Sequence, residues 1–152
     1  MTKGSGWLND EEQKLWRLLL GGIRHLERGM EETLQQDSGL GASEFAVLVS
    51  LSEAEDQSLR LRDLCQSLEW DRSRASHQIT RMERRGLVVK QKCEDDARGV
   101  LVVLTKEGMS RLEAAAPGHV ESVRRLVFDH LTDEDAVVLE RFFGNLVSTE
   151  LG

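Results

Sequence analysis

Tyrosine is absent from this chain, proline occurs once, cysteine twice, and aromatic residues amount to 5%. Two cysteines at unrelated positions, Cys65 and Cys93, cannot build a disulfide framework, and they lack the C-x-x-C spacing of a metal or redox pair. The four histidines, His25, His77, His119 and His130, are scattered without metal-ligand spacing. No apolar run approaches the roughly 18 residues of a membrane span, and the N-terminus shows no charged-then-apolar signal pattern. A cytoplasmic protein that does not enter the membrane is expected. A Gly-rich phosphate loop, a G-x-S-x-G elbow and an H-E-x-x-H pair are also missing, so the chain is expected not to be an enzyme and to need no cofactor.

Positive charge is scarce overall as well: 20 Lys and Arg face 27 Asp and Glu, a net of −7. Yet between Trp70 and Lys92 seven basic residues (Arg72, Arg74, Arg81, Arg84, Arg85, Lys90, Lys92) meet two acidic ones (Asp71, Glu83). That local +5 leaves −12 for the rest of the chain. An island of one sign on a background of the other suits a surface that meets a polyanion in one orientation. The length of 152 residues, with 39% hydrophobic and 31% charged, fits one globular, helix-leaning domain, and no repeat or low-complexity linker divides it.

Asn9 followed by Glu12 predicts a helix N-cap with its capping-box partner. From there Leu15, Leu19, Ile23, Leu26, Met30 and Leu34 recur at helical spacing up to Gly39. A second helix is expected from Gly41 to Glu53, a stub of strand at Ser58 to Leu61, and a brief helix from Arg62 to Leu68. Asp71 then caps a helix to about Arg85 with Ala75, Ile79 and Met82 inward, and Gly86 ends it. The period changes at Leu87: two extended runs joined by a polar loop with Gly99 predict a β-hairpin. Thr105 with Gly108 opens another long helix, in which Pro117-Gly118 is expected to produce a kink or a break. Thr132 caps the last one.

A short helix, a turn, a capped basic helix and a basic hairpin in this order make a winged helix-turn-helix. The expected fold class is mainly α with a small β-hairpin wing, flanked by N- and C-terminal helices. The turn lets Leu64, Leu68, Ile79 and Met82 share a core, which is expected to leave Arg72, Ser73, Arg74, Ser76, His77, Gln78 and Arg81 on the outer side of the second helix. Such a helix fits the major groove of double-stranded DNA, where Arg bonds guanine bidentately and Gln, Ser or His tests other base edges. Its N-terminus favours a phosphate near Ser73 and Arg74. Lys90 and Lys92 would follow the phosphate backbone, and Arg98 at the hairpin tip would enter an adjacent minor groove. One or more of Glu94, Asp95 and Asp96 is expected to bond Arg98 or a neighbouring arginine and so shape the wing. Arg84 and Arg85 lie beyond the groove-facing positions; they meet phosphate or pair with Glu83 or another acid.

Asp96-Ala97-Arg98, then Val100 to Leu104, Thr105 and Gly108, resembles the D-x-R…LT…G wing signature of the MarR (multiple antibiotic resistance regulator) family. The upstream LRDLCQSLEWDRSRASHQITRMERRGLV looks like that family's helix-turn-helix, and the likeness runs from about Leu15 onward. The resemblance implies a dimeric winged-helix transcription factor on a palindromic operator, usually a repressor. It also implies release by a small aromatic or anionic effector bound between the DNA-binding lobe and the dimerisation helices, as in many members. The family's DNA contacts would fall on Arg72, Ser73, Arg74, Ser76, His77, Gln78, Arg81 and Arg98. Peroxide-sensing members pair a reactive N-terminal cysteine with tyrosines, which this chain lacks.

Trp7, Leu8, Trp16 and Leu20 add more apolar surface than one buried stripe of the first helix needs. Val127, Leu131, Val138, Phe142, Phe143 and Leu146 do the same at the other end, so both ends are expected to meet a second copy. The expected division is a winged-helix lobe over about 41–106, with dimerisation helices over about 7–38 and 107–152. Two alternatives stand beside the regulator. One is a winged-helix protein-interaction module that turns its basic face to an acidic partner, favoured by the net −7. The other is a thiol-based redox-responsive regulator using Cys93, which sits between Lys90, Lys92 and Glu94, Asp95.

Overall fold

The computed structural model describes residues 6–95 and 98–152; Asp96, the residue expected to shape the wing, lies outside them. Helix α1 runs from Asp10 to Ser38. The Asn9 side chain accepts from the Glu12 N–H at 2.8 Å, and the Glu12 carboxylate accepts from the Asn9 N–H at 3.1 Å. Asp10, Glu11 and Glu12 thus place negative charge against the positive end of the helix dipole. Gly39 ends the helix at φ 68°, a left-handed conformation that glycine adopts without a Cβ penalty. Three residues later helix α2 begins, spanning Ala42–Glu53.

The winged-helix unit follows in the predicted order: β1 (Ser58–Arg60), α3 (Leu61–Leu68), α4 (Arg72–Arg84), β2 (Val88–Lys92) and β3 (Val100–Leu104). The expected hairpin is really a three-stranded antiparallel sheet, ordered β1-β3-β2, in which Arg60 lies opposite Leu101 and Val88 opposite Leu104. The stub of strand therefore has its partner in β3. Val47, Leu48, Leu51, Leu64, Ile79, Met82, Leu87, Val88 and Val102 form one buried core beneath this sheet. The fold is mainly α with a small β wing.

Thr105 and Gly108 join the wing to helix α5 (Lys106–Leu126) by a specific device. The Thr105 hydroxyl donates to the Gly86 carbonyl at 2.6 Å and accepts from the Gly108 N–H at 2.9 Å. The Thr105 N–H donates to the Leu87 carbonyl at 3.2 Å. This draws the first turn of α5 so close to the chain entering β2 that a Cβ on Gly108 would lie 2.2 Å from the Leu87 oxygen. The threonine and the glycine of the wing motif thus serve one junction.

The break considered at Pro117 does not occur, for α5 continues through it to Leu126. Proline removes one N–H, here the one that would reach the carbonyl of the exposed Glu113, while the turns on both sides keep their bonds. Packing against α1 holds the helix on the opposite side: Gly118 approaches so closely that a Cβ there would meet Asp37 Oδ2 at 2.6 Å. The Ser122 hydroxyl also bonds the Thr33 hydroxyl at 3.2 Å. Helix α6 (Asp133–Ser148) starts at the Thr132 cap and has no buried residue. Among the described residues no helix is long and apolar enough to cross a membrane.

Candidate nucleic-acid interface

Asp71 caps α4 as its position predicted, its Oδ1 accepting from the Arg74 N–H at 2.7 Å. That bond occupies the carboxylate at the helix end where an anion would otherwise compete with it. Ala75, Gln78, Ile79 and Met82 face the core, while Arg72, Ser73, Arg74, Ser76, His77 and Arg81 are exposed. The outward placement of Gln78 is therefore corrected, since its residual exposure is 7%. A helix turns about 100° per residue, which puts residue 78 only about 60° from Ala75 and about 40° from Met82, inside the buried arc. Its amide oxygen accepts from Arg81 Nη2 at 2.6 Å, so Gln78 orients an exposed arginine from below.

The middle of the outward arc carries Ser73, His77, Thr80 and Arg84, with Ser76 and Arg81 beside them. Arg72 and Arg74 stand on its flanks. Thr80, half-buried on this face, escaped the sequence reading, although its spacing of four from Ser76 would have found it. Arg74 is held by the turn: its guanidinium lies 4.5 Å over the Trp70 ring, and Nη2 is 3.5 Å from the Ser43 hydroxyl. A stacked guanidinium keeps its charge and its outward N–H groups while losing rotamer freedom.

In the wing, Asp95 meets an arginine. Arg60 Nη2 donates to its two oxygens at 2.7 and 2.6 Å. The partner comes from β1, 35 residues away, and no local spacing pointed to it. Lys90 leans toward α4, with Nζ 3.3 Å from the Thr80 hydroxyl and its N–H on the Glu83 carboxylate at 2.8 Å. Lys92 and Arg98 are exposed farther out, Arg98 in the turn beyond β2. Cys93 is half-buried, as is Cys65.

The apolar residues expected between copies divide into two groups. Trp7, Leu8, Trp16, Val138, Phe142, Phe143 and Leu146 are exposed, Trp7 by 82%, whereas Leu20, Val127 and Leu131 are half-buried within the chain. Leu15, Leu18, Val137 and Val147 are exposed as well. Between α1, α2 and the turn before α4 lies a cleft of about 660 Å³, with Arg24, Arg28, Ser43, Trp70 and Arg74 in its wall.

Comparison with known proteins bears on this geometry. The family described as transcriptional regulator SarA/Rot matches residues 30–115. The crystal structure of AbsC, a MarR family transcriptional regulator from Streptomyces coelicolor, is 41% identical and superposes with a TM-score of 0.88 over 93% of this chain and 95% of its own. Sco3205, a MarR family transcriptional regulator from the same organism solved in complex with DNA, is 35% identical, with a TM-score of 0.90 over 96% and 95% of the two chains. The HTH-type transcriptional repressor YetL of Bacillus subtilis (strain 168) is 27% identical over 108 residues, 71% of this chain. The match spans 64% of the length of that relative.

Proposed function

Because the chain belongs to the MarR family of transcriptional regulators, we propose that it acts as a homodimeric repressor that reads a palindromic double-stranded operator with α4 and the wing. The observation that carries the proposal is the exposed polar and basic face of α4, continuous with the exposed cations of the wing, on a chain whose net charge is −7. Ser73, Ser76, His77, Thr80 and Arg81 meet base edges in the major groove, and Arg72, Arg74 and Lys92 meet the phosphates around it. Arg98 reaches the next minor groove. The solved DNA complex of Sco3205 supports this reading, and the repressor YetL supports the direction of control.

The homodimer is supported by the apolar residues exposed along the start of α1 and along α6. A stretch exposing Val137, Val138, Phe142, Phe143, Leu146 and Val147 is suited to being covered by another surface. Two copies related by a two-fold axis present two recognition helices about 34–36 Å apart, which selects inverted repeats. Release by an effector belongs to the same proposal. An aromatic carboxylate would find guanidinium groups and an indole in the cleft beside Arg74, and would draw that arginine away from phosphate.

A mobility-shift titration on DNA upstream of the protein's own gene tests the proposal. Binding should be steeply salt-dependent, and the minimal bound fragment should contain an inverted repeat. Binding that is insensitive to both salt and sequence would refute it.

A further inference from the structure

We propose that Arg85 is a positioning residue, not a DNA contact: it fixes the angle of the DNA-reading lobe against α1 and so determines which half-site spacing two copies accept. The inference rests on the operator-reading dimer proposed above. Arg85 follows the last residue of α4, in a near-helical conformation. At about 100° per residue its side chain leaves the helix about 110° away from the middle of the outward face, toward α2. There Nη1 donates to both oxygens of Glu44, and Nη2 donates to the Gly39 carbonyl at 3.3 Å. A single guanidinium thus joins three places: the end of the recognition helix, the first turn of α2 and the end of α1.

The surroundings show why this joint matters. From Ser38 to Ala42 the chain passes from α1 into α2 through the left-handed Gly39. Charged side chains supply three further polar ties here. Arg111 of α5 donates to the Ser38 carbonyl at 2.9 Å, Glu31 of α1 accepts from the Ala42 N–H at 2.6 Å, and Glu44 accepts from the Gly41 N–H at 2.9 Å. Of these groups, only Arg85 belongs to the segment that reads DNA. The pair also suits both helix ends, a cation at the negative C-terminus of α4 and a carboxylate at the positive N-terminus of α2. Glu44 keeps its capping bond when Arg85 is removed, and α4 keeps Ala75, Ile79 and Met82 in the core. The fold therefore survives the loss of Arg85; what goes is the restraint on rotation about the joint.

The test uses the full-length protein and an operator series in which one base pair is inserted or removed between the half-sites. Affinities are measured at several salt concentrations for wild type, Arg85→Gln and Arg85→Lys, with thermal melts alongside. Lysine keeps the charge but cannot reach Glu44 and Gly39 together. Discrimination between the best spacing and its neighbours should fall roughly threefold or more in both variants, the size of a modest coupling energy. Uncovering the Glu44 charge weakens every operator alike and so cancels from that ratio, and the salt slope should stay at the wild-type value. A phosphate contact would behave differently: Arg85→Lys would match wild type, and Arg85→Gln would lose about 0.9 from the slope with its spacing preference intact. That outcome, or a lowered melting temperature with unchanged discrimination, would overturn the proposal. A wild-type protein that binds no operator would overturn the regulator reading itself.

Discussion

Replacing Gly108 with alanine probes the junction between the wing and α5 by adding a single methyl group. A Cβ at that position would sit 2.2 Å from the Leu87 carbonyl oxygen and 2.8 Å from Leu104 Cδ1. Ordinary C···O contacts begin near 3.3 Å, so the two backbones must separate by about 1 Å. Forcing a methyl into a packed site costs about 1–3 kcal/mol. The Leu87 carbonyl also accepts the Thr105 N–H at 3.2 Å, and a shift of that size stretches the bond past usefulness, adding about 1 kcal/mol. Alanine recovers about 0.5–1 kcal/mol of helix propensity. The net expectation is a loss of roughly 1–3.5 kcal/mol. Urea unfolding at one fixed protein concentration measures it, since a dimer's stability depends on concentration. Gly21→Ala is the control: nothing lies within 4 Å of a Cβ there, so the same substitution in α1 should stabilise by about 0.5–1 kcal/mol. If Gly108→Ala shifts stability by less than about 0.5 kcal/mol, or in the same direction as Gly21→Ala, the close approach and its cost are refuted.

Three further expectations follow from the surface and the core. Arg98→Ala should weaken operator binding and lower the slope of log affinity against log salt by about one unit, measured by titration at several salt concentrations; an unchanged slope would remove Arg98 from the phosphate-lined groove. Phe143→Asp, on the exposed apolar side of α6, should convert the proposed dimer to monomer in analytical ultracentrifugation and abolish operator binding, and a dimer that survives would move the interface elsewhere. His119 stacks on Phe45 with ring centroids 4.3 Å apart, and burial pushes its pKa below the ordinary 6.5. The unfolded chain takes up that proton first, so the stability contributed by the neutral ring is complete above about pH 6.5 and is lost as pH falls through the lowered value. Melting curves from pH 7.5 to pH 5.5 should accordingly fall less steeply for His119→Gln than for wild type, and parallel curves would contradict the burial argument.

The elements of this fold were legible because their signals are local. Asn9 with Glu12, Asp71 with the Arg74 N–H, and Thr132 with the Asp135 N–H each close within three residues. Gly39 and Gly86 take the positive φ that marks a helix end. Binary pattern and caps together placed α1 to α6 and the hairpin, because a helix satisfies its backbone within one turn and a hairpin within its own loop. The basic face of α4 was readable for the same reason, a period of 3.6 applied to charged residues. Gln78 was misplaced because a polar residue at the rim of the buried arc can turn either way, and the partner that decides, Arg81, also sits on the exposed rim.

Sequence alone therefore determined the order of the helices, their caps, the wing and the charge island, all of which rest on interactions a few residues long. Tertiary structure decided what depends on distant segments meeting. It gave Arg60 to Asp95 across 35 residues and Arg85 to Glu44 across 41, it let α5 continue past Pro117 against α1, and it left α6 without a buried residue in a single chain. No spacing encodes such pairs, because the energy of a surface guanidinium and carboxylate is small and nonspecific until the packed core of Leu48, Ile79, Met82 and Val102 brings those two, out of many charges, within reach.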